Sequence, residues 1–574
     1  MSRRADAVQD DAQVVAAAQA WLAQDPDDET RAELGTLVKD AIGGSEIAVD
    51  ELRDRFSTRL AFGTAGLRGR IGAGPNRMNR VVVSQAAAGL AAYLLDRARD
   101  TRPRVVIGYD GRTKSQLFAT DTAELMAGAG IEAILLPRML PTPVLAFAVR
   151  YLGASAGVMV TASHNPPADN GYKVYLGGDD DGSQIVPPAD GDIAAQINRI
   201  AASSSVLDLP RSDDYEVAGD ELVEAYISET AASVASTGAE RAPLTVVYTA
   251  MHGVGWQTFS RAAAAAGFQP PVSVTAQQEP DAAFPTVAFP NPEEDGALDL
   301  AFQTAREVGA ELIIANDPDA DRMSVAIPDV TRPEGYRQLS GNEVGWLLGW
   351  RAAEAVAQSE LPTAGTLACT IVSSPALGVV AHHYGLRFEE TLTGFKWVSR
   401  VPGLVFGYEE AIGYLVNPQL VRDKDGISAG LAFLALASEA KARGESVAQL
   451  LDRFAATFGV FASDQLSIRV VDLGVIGRIM SALRANPPAT LGGLAVLDVD
   501  DLSVDRSGAG SLPPTDALRF RLESGSRVMA RPSGTEPKLK FYIDVTAGSS
   551  ERERALELLA GIRDDLQAFA DAVS

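Results

Sequence analysis

The sequence predicts an α/β fold divided among several domains, and three observations predict it. Short apolar segments recur along the chain, each about the length of a buried strand. Segments with helical periodicity lie between them. The chain has 574 residues, which suggests roughly three to five domains, each able to bury its own core.

Residues 1–55 read as helices. Val14, Val15, Ala18, Trp21 and Leu22 repeat at helical spacing, and Asp25-Pro26-Asp27-Asp28 breaks the run. This predicts a helical extension packed on the body. Val105-Val106-Ile107-Gly108-Tyr109 reads as a buried strand, 116–129 as a helix, and 131–136 and 156–161 as further strands. The alternation returns at 244–248 and 311–315. Apolar strands separated by helices argue for parallel pairing. Pro187-Pro188 and the polar stretch 201–214 read as a connection, 328–341 as loop, and 457–464 as the approach to a strand over 465–471. The body therefore divides near residues 215, 330 and 460. The expected units are 1–55, 56–215, 216–330, 331–460 and 461–574.

Hydrophobic residues make up 46% and charged residues 22%, the values of an ordinary soluble globular protein. The formal net charge is -25. Such a surface repels nucleic acid and anionic lipid at long range, so neither is an expected partner. It also repels an anionic metabolite, so a site for a phosphate ester needs a local excess of Arg and Lys. The single cysteine, Cys369, allows no intrachain disulfide and no cysteine metal cluster. That suits a reducing compartment, and the apolar run around Cys369 marks it as a core thiol. No stretch approaches the length of a membrane span, and the N-terminus reaches no apolar core before acidic residues appear. The expected location is cytoplasmic.

Five motifs carry chemistry. Thr161-Ala-Ser-His-Asn-Pro-Pro-Ala-Asp-Asn-Gly-Tyr-Lys173 follows a strand directly, where ligands of parallel sheets gather. Its prolines and Asn170-Gly171 fix a loop, which would hold Ser163 as a nucleophile. An alkyl hydroxyl needs help from a base or metal, and His164 and Lys173 are the nearby candidates. An isolated Ser-His-Asn would read as a polar turn; the whole string is more specific. Asn316-Asp-Pro-Asp-Ala-Asp-Arg322 also follows an apolar strand. Asp317, Asp319 and Asp321 can converge on a hard cation, and oxygen ligands without sulfur suit Mg²⁺. An EF-hand is excluded, because the central glycine is missing and Pro328 occupies the closing position. The metal would act as a Lewis acid on a phosphoryl oxygen, with Arg322 beside it.

The third motif, Arg531-Pro-Ser-Gly-Thr-Glu-Pro-Lys538, joins a guanidinium, two hydroxyls and backbone amides around a glycine. These are the parts of an anion site, and Arg531 can grip two phosphate oxygens at once. The fourth, Gly407-Tyr-Glu-Glu-Ala-Ile-Gly413, is preceded by Thr393-Gly-Phe-Lys396, and Glu409 and Glu410 can accept hydrogen bonds from sugar hydroxyls. The fifth, Phe62-Gly-Thr-Ala-Gly-Leu-Arg-Gly69, turns tightly on its glycines and carries Arg68. Taken singly, the last two read as ordinary acidic surface and a structural turn.

Taken together and in this order, these strings resemble the α-D-phosphohexomutase superfamily of phosphoglucomutases and phosphomannomutases, over residues from about 56 to 545. The resemblance implies four domains around a central cleft: three related α/β domains with mixed sheets, and a C-terminal α+β domain. It implies that Ser163 is carried as phosphoserine, and that Asp317, Asp319, Asp321 and the seryl phosphate hold Mg²⁺. Arg68 and Lys173 match positions that assist proton transfer and charge stabilisation. Arg531, Ser533, Gly534, Thr535 and Lys538 match the loop that grips the phosphate not being transferred. Thr393, Gly394, Glu409, Ala411 and Lys424 match sugar-binding segments. A sugar bisphosphate is implied as intermediate and activator, the partner is a small phosphosugar, and the chain is expected as a monomer or homodimer.

One position departs from the glucose-type pattern. Many such members carry Ser after the paired acids, and here that place is Ala411. A missing hydroxyl changes discrimination between sugars. Glucose phosphate is the expected substrate, with mannose phosphate and (deoxy)ribose phosphate behind it. A metal-dependent sugar phosphatase and a non-enzymatic sugar-phosphate sensor are the competing readings. His252, after a strand and before a helix, reads as a structural histidine, with contact to the phosphoserine region as the alternative; His382 and His383 lack the company of metal ligands and read as structural.

Overall fold

A computed structural model describes residues 2–98, 101–203, 205–235, 240–359, 365–470, 472, 474–504, 513–533 and 538–573. The chain forms two compact units. The first comprises residues 1–238, 243–337 and 417–431; the second comprises 239–242, 338–416 and 432–574.

The first unit opens with helices Ser2–Leu22, Asp28–Ile42 and Glu46–Phe56. Asp25-Pro26 separates the first two, and the Asp27 side chain caps the second by accepting from the Glu29 amide. Val14, Ala18, Trp21, Leu34, Val38 and Leu52 are buried in one core with the first sheet's Leu67, Val105, Val158 and Tyr172. The extension thus shares the core of the body. Polar ties add to it: the Glu33 carboxylate accepts from the Ala73 amide at 3.1 Å, and Lys114 pairs with Asp27.

The first sheet has seven strands. Six of them run in the order Leu67–Arg70, Asp169–Leu176, Ala156–Val160, Arg104–Tyr109, Glu132–Leu135, Glu216–Val217, and the seventh, Ser183–Gln184, pairs with Asp169–Leu176 off this path. Ala156–Val160, Arg104–Tyr109 and Glu132–Leu135 pair in parallel, as alternation with helices requires. Asp169–Leu176 returns antiparallel beside Ala156–Val160, so the sheet is mixed. Asn170 and Gly171, expected in the loop after Ser163, instead lie in this strand. The reason is close backbone approach. A Cβ at Gly171 would stand 2.6 Å from the Thr161 carbonyl oxygen and 2.8 Å from that of Leu67, so glycine here lets three chain segments meet.

A second sheet in the same unit places Leu312–Asn316 between Val246–Thr249, parallel, and Met323–Pro328, antiparallel. Segment 417–431 completes the unit. The Gly426 amide donates to the Ala320 carbonyl at 3.2 Å, and helix Gly426–Ala442 begins there.

The second unit holds a four-stranded sheet ordered Arg387–Thr391, Thr366–Thr370, Leu404–Glu409, Gly413–Leu415. Its six-stranded sheet is antiparallel throughout, with helices Gly474–Ala485 and Arg552–Val573 supplying core residues such as Ile479, Leu483, Ile562 and Leu566. Its first strand, Val460–Arg469, starts before the expected position at 465, because the register with Lys538–Ala547 continues to Val460. Cys369 is fully buried in strand Thr366–Thr370, as a core thiol should be. Among the described residues no helix is long and apolar enough to cross a membrane.

Gly426 tests how tightly 417–431 is seated. A Cβ there would lie 2.3 Å from the Arg322 carbonyl oxygen and 2.5 Å from Asn316 Nδ2. Gly426→Ala should lower unfolding free energy by about 1–3 kcal/mol, the usual effect of overpacking. Urea denaturation measures it, and an unchanged midpoint would show that the segment yields freely.

Candidate active site

Ser163 follows strand Ala156–Val160, whose five residues are all buried. The Thr161 hydroxyl accepts a hydrogen bond from the Ser163 amide at 2.8 Å, and Asn165 N donates to Ala162 O at 3.0 Å. These short-range bonds curl the chain tightly, and Ser163 adopts φ 52°. A left-handed conformation costs a non-glycine residue about 1–2 kcal/mol, so the surroundings must enforce it. The reward is direction. Ser163 Oγ donates to Asp317 Oδ2 at 2.9 Å and stands 3.2 Å from His164 Nδ1.

Asp317 follows strand Leu312–Asn316 in the second sheet of this unit. A turn from Asp317 to Ala320, with Ala320 at φ 53°, folds the segment back on itself. Asp317, Asp319 and Asp321 are all fully buried, and one carboxylate oxygen from each lies within 4.8 Å of the others. Asp317 Oδ1 accepts from the Arg322 amide, and Asp319 Oδ2 from the Thr142 hydroxyl at 2.6 Å. Asp319 Oδ1 and Asp321 Oδ1 are buried without a hydrogen-bond partner. Buried oxygens left open beside each other are costly unless a cation takes them. Three convergent oxygen donors with no sulfur suit a hard divalent ion, so these residues fit a metal.

Cations surround the triad. Lys173 Nζ lies 2.7 Å from Asp319 Oδ2 and 2.8 Å from Asp321 Oδ2, and Lys424 Nζ is 3.3 Å from Asp321 Oδ2. Burial and the two neighbouring aspartates push the Asp317 carboxyl well above the usual range. Burial acts the same way on Asp321, but Lys173, Lys424 and Arg322 outweigh it and hold that carboxyl far below. Burial also opposes charge on Lys173, and Asp319 and Asp321 override it and raise the ammonium's pKa. His164 is pushed well below its ordinary value by burial and by Arg322 and Arg68, which favours the neutral ring. Arg68 donates to the Asn165 side chain at 3.1 Å, and Arg322 Nη1 lies 3.8 Å from Glu293.

The structure therefore brings Ser163, His164, Lys173, Arg68, Arg322 and the three aspartates into one unit. Lys424, grouped by sequence with sugar-binding residues of the 331–460 segment, joins them here, because 417–431 packs in the first unit. In the second unit, Gly394 takes φ 105° beside Thr393 and precedes the short helix Phe395–Val398. Glu409 ends strand Leu404–Glu409, and Ala411 lies in the turn to Gly413–Leu415. Glu410 was expected to serve sugar hydroxyls alongside Glu409. Its Oε2 accepts from the Thr370 and Ser373 hydroxyls at 3.1 and 2.9 Å. Arg531 lies near the end of strand Arg527–Pro532, and the Ser533 amide donates to Lys538 O at 2.8 Å, closing the neck of the loop. Gly534 and Thr535 lie outside the described residues.

Thr142 escaped sequence reading, and the supporting role of segment 251–254 was read only as far as His252. Thr142 binds Asp319 through both its hydroxyl and its amide. The segment 251–254 supports the aspartate loop: Val254 N donates to Pro318 O at 2.9 Å, and a Cβ at Gly253 would meet Pro318 Cα at 2.3 Å. His252 in that segment bonds Thr286 at 2.8 Å, a structural role. The available signal was position, since both segments follow apolar strands at their carboxyl ends.

Four models of the phosphoglucomutase/phosphomannomutase family match the chain: α/β/α domains I, II and III over residues 59–204, 224–330 and 340–458, and the C-terminal domain over 482–560. The chain is 55% identical to a Haemophilus influenzae protein named "Probable phosphomannomutase", covering 86% of this chain and 98% of that one. It is 35% identical to a phosphoribomutase of Saccharomyces cerevisiae, with 94% of each covered. A solved phosphoglucomutase/phosphomannomutase family protein from Burkholderia thailandensis shares the fold at TM-score 0.67 and 19% identity, over 90% of this chain and 99% of that one. With all four domain models matched in order and sheets to suit them, the chain is a four-domain α/β member of the phosphoglucomutase/phosphomannomutase family within the α-D-phosphohexomutase superfamily, and thus an intramolecular phosphotransferase.

Proposed function

We propose that Ser163 is the phosphoryl carrier of a mutase that interconverts sugar 1-phosphates and 6-phosphates, glucose phosphates first and mannose phosphates next. The observation that carries this reading is the Ser163 hydroxyl directed onto Asp317, beside two buried carboxylate oxygens that lack a partner. Asp317, Asp319, Asp321 and an oxygen of the seryl phosphate would hold Mg²⁺. When bound, the ion supplies Lewis-acid neutralisation of phosphoryl charge.

The chain's own groups do the rest. The phosphorus–oxygen bond to Ser163 Oγ breaks as one to the sugar hydroxyl oxygen forms, and that hydroxyl's proton ends on the freed Ser163 Oγ. His164 Nδ1, 3.2 Å from Ser163 Oγ, is placed to exchange a proton there. Lys173 and Arg322 contribute fixed positive charge, and Arg68 orders Asn165 of the serine loop. The resulting bisphosphate turns over, its other phosphorus bonds to Ser163 Oγ as its bond to the sugar oxygen breaks, that oxygen takes the serine proton, and the isomeric monophosphate leaves. Little covalent chemistry falls to the protein, so positioning and electrostatics dominate. In the second unit, Arg531, Ser533, Gly534, Thr535 and Lys538 are assigned to the phosphate that is not transferred. Thr393, Gly394, Glu409 and Ala411 are assigned to the sugar. Lys424 is assigned to the charge environment of the carboxylates rather than to sugar recognition.

A pentose phosphate is the second reading. It is supported by likeness to the yeast phosphoribomutase across 94% of both chains, and by Ala411, which offers no side-chain hydroxyl to a sixth carbon's substituents.

Initial rates on glucose, mannose, ribose and deoxyribose 1-phosphates, with the bisphosphate supplied, should rank glucose first. A ribose rate exceeding the hexose rates would transfer the assignment to pentoses. Glucose 6-phosphate should accumulate from glucose 1-phosphate without free phosphate; release of phosphate alone would make the protein a phosphatase. Ser163→Ala should reduce turnover to background while substrate Kd stays within about threefold, since the lost hydroxyl acts in transfer rather than ground-state binding. Full turnover in that variant would end the carrier assignment. Excess chelator should silence the enzyme. Asp319→Ala should cost more than the roughly 10–100-fold typical of an outer-shell partner, read as turnover against added Mg²⁺. Chelator-insensitive turnover would remove the metal from the account.

A further inference from the structure

Arg112 belongs to none of the motifs that the proposed mechanism uses, yet its side chain is 1% exposed and lies against the serine loop. Its four terminal N–H bonds go to four backbone carbonyls of that loop. Nη2 donates to Ser163 O at 2.7 Å and Asn165 O at 2.6 Å. Nη1 donates to Pro166 O at 2.9 Å and Asp169 O at 3.2 Å. The remaining N–H, on Nε, faces Asp110 Oδ2 at 3.5 Å. One face of the guanidinium lies over the Phe284 ring, 5.1 Å from its centroid.

We infer that Arg112 is the positioning residue that holds Ser163 in its left-handed, transfer-ready conformation. The φ of 52° at Ser163 needs enforcement. Carbonyls at 163, 165, 166 and 169 span the whole turn, so one planar fork fixes its curvature. A guanidinium does this with rigid, coplanar donors, whereas an ammonium has three donors on a single atom. Arg112 is itself immobilised. Asp110 Oδ1 accepts from the Arg112 amide at 3.0 Å and from Ser115 Oγ at 2.7 Å. Asn170 Nδ2 donates to Thr113 O at 2.8 Å. Lys114, at φ 64°, pairs with Asp27 of the helical extension. The buried charge also adds a positive field behind the serine without touching the reacting atoms.

This inference rests on Ser163 being the carrier, and the test separates the two. Arg112→Ala and Arg112→Lys are assayed with Ser163→Ala as control, per mole of folded protein by circular dichroism. Arg112→Ala should lose roughly 10²-fold in kcat, the cost of a small misplacement of a reacting group. Its KM for the sugar 1-phosphate should stay within about threefold, because no substrate contact is removed. Millimolar guanidinium should restore much of the lost kcat to Arg112→Ala and none to wild type or Ser163→Ala. Arg112→Lys should remain impaired despite its charge. A loss confined to KM, an absence of guanidinium rescue, or wild-type kcat in Arg112→Lys would each overturn the inference. If Arg112→Ala does not fold, the kcat of folded Arg112→Lys decides alone. If Ser163→Ala stays active, the carrier assignment itself has failed.

Discussion

Three carboxylates cannot be gathered out of water without an answer to their mutual repulsion. At an effective dielectric of ~20, two like charges separated by the distances within this triad repel by about 3–4 kcal/mol. Asp317, Asp319 and Asp321 are nevertheless all buried and convergent. The arrangement persists because Lys173 spans Asp319 and Asp321, Lys424 approaches Asp321, and the Arg322 amide is donated to Asp317. The compensation is incomplete: two carboxylate oxygens have no partner and Asp317 is driven toward protonation. A site balanced in this way fits a hard divalent cation.

That electrostatic centre dictates the scaffold. The triad sits at the end of one sheet and Ser163 at the end of another, and the two are joined by the Ser163–Asp317 hydrogen bond at 2.9 Å. Each loop is stiffened at its base by side-chain caps, close glycine contacts and left-handed turns. The helical extension enters the same core and ties down the neighbouring loops through Glu33 and Asp27. Rigid strands with stiff loops at their ends give positional precision that flexible loops do not. Phosphoryl transfer depends on that precision more than on any acid or base of unusual strength.

Family membership fixes the reaction class, and substrate choice is a separate matter. Relatives of high coverage carry names from both the hexose and the pentose side. Thr393, Gly394, Glu409 and Ala411, proposed for the sugar, belong to the second unit, whereas Ser163 and the three aspartates belong to the first.

The sequence by itself determined the α/β class, the helices that precede the first sheet, and the family with its reaction class. Those features are local: apolar strands, turn residues and contiguous strings of reactive side chains are written in neighbouring positions. Pairing across long separations was not legible. Asn170 and Gly171 read as loop because turn chemistry is local, whereas the close approach to Leu67 and Thr161 that makes them strand is not. Lys424 was grouped with the sugar-binding residues by family resemblance, and the return of 417–431 to the first unit puts it beside Asp321. Thr142 and Arg112 carried no motif at all; their roles come from hydrogen bonds to residues far along the chain, which folding alone creates.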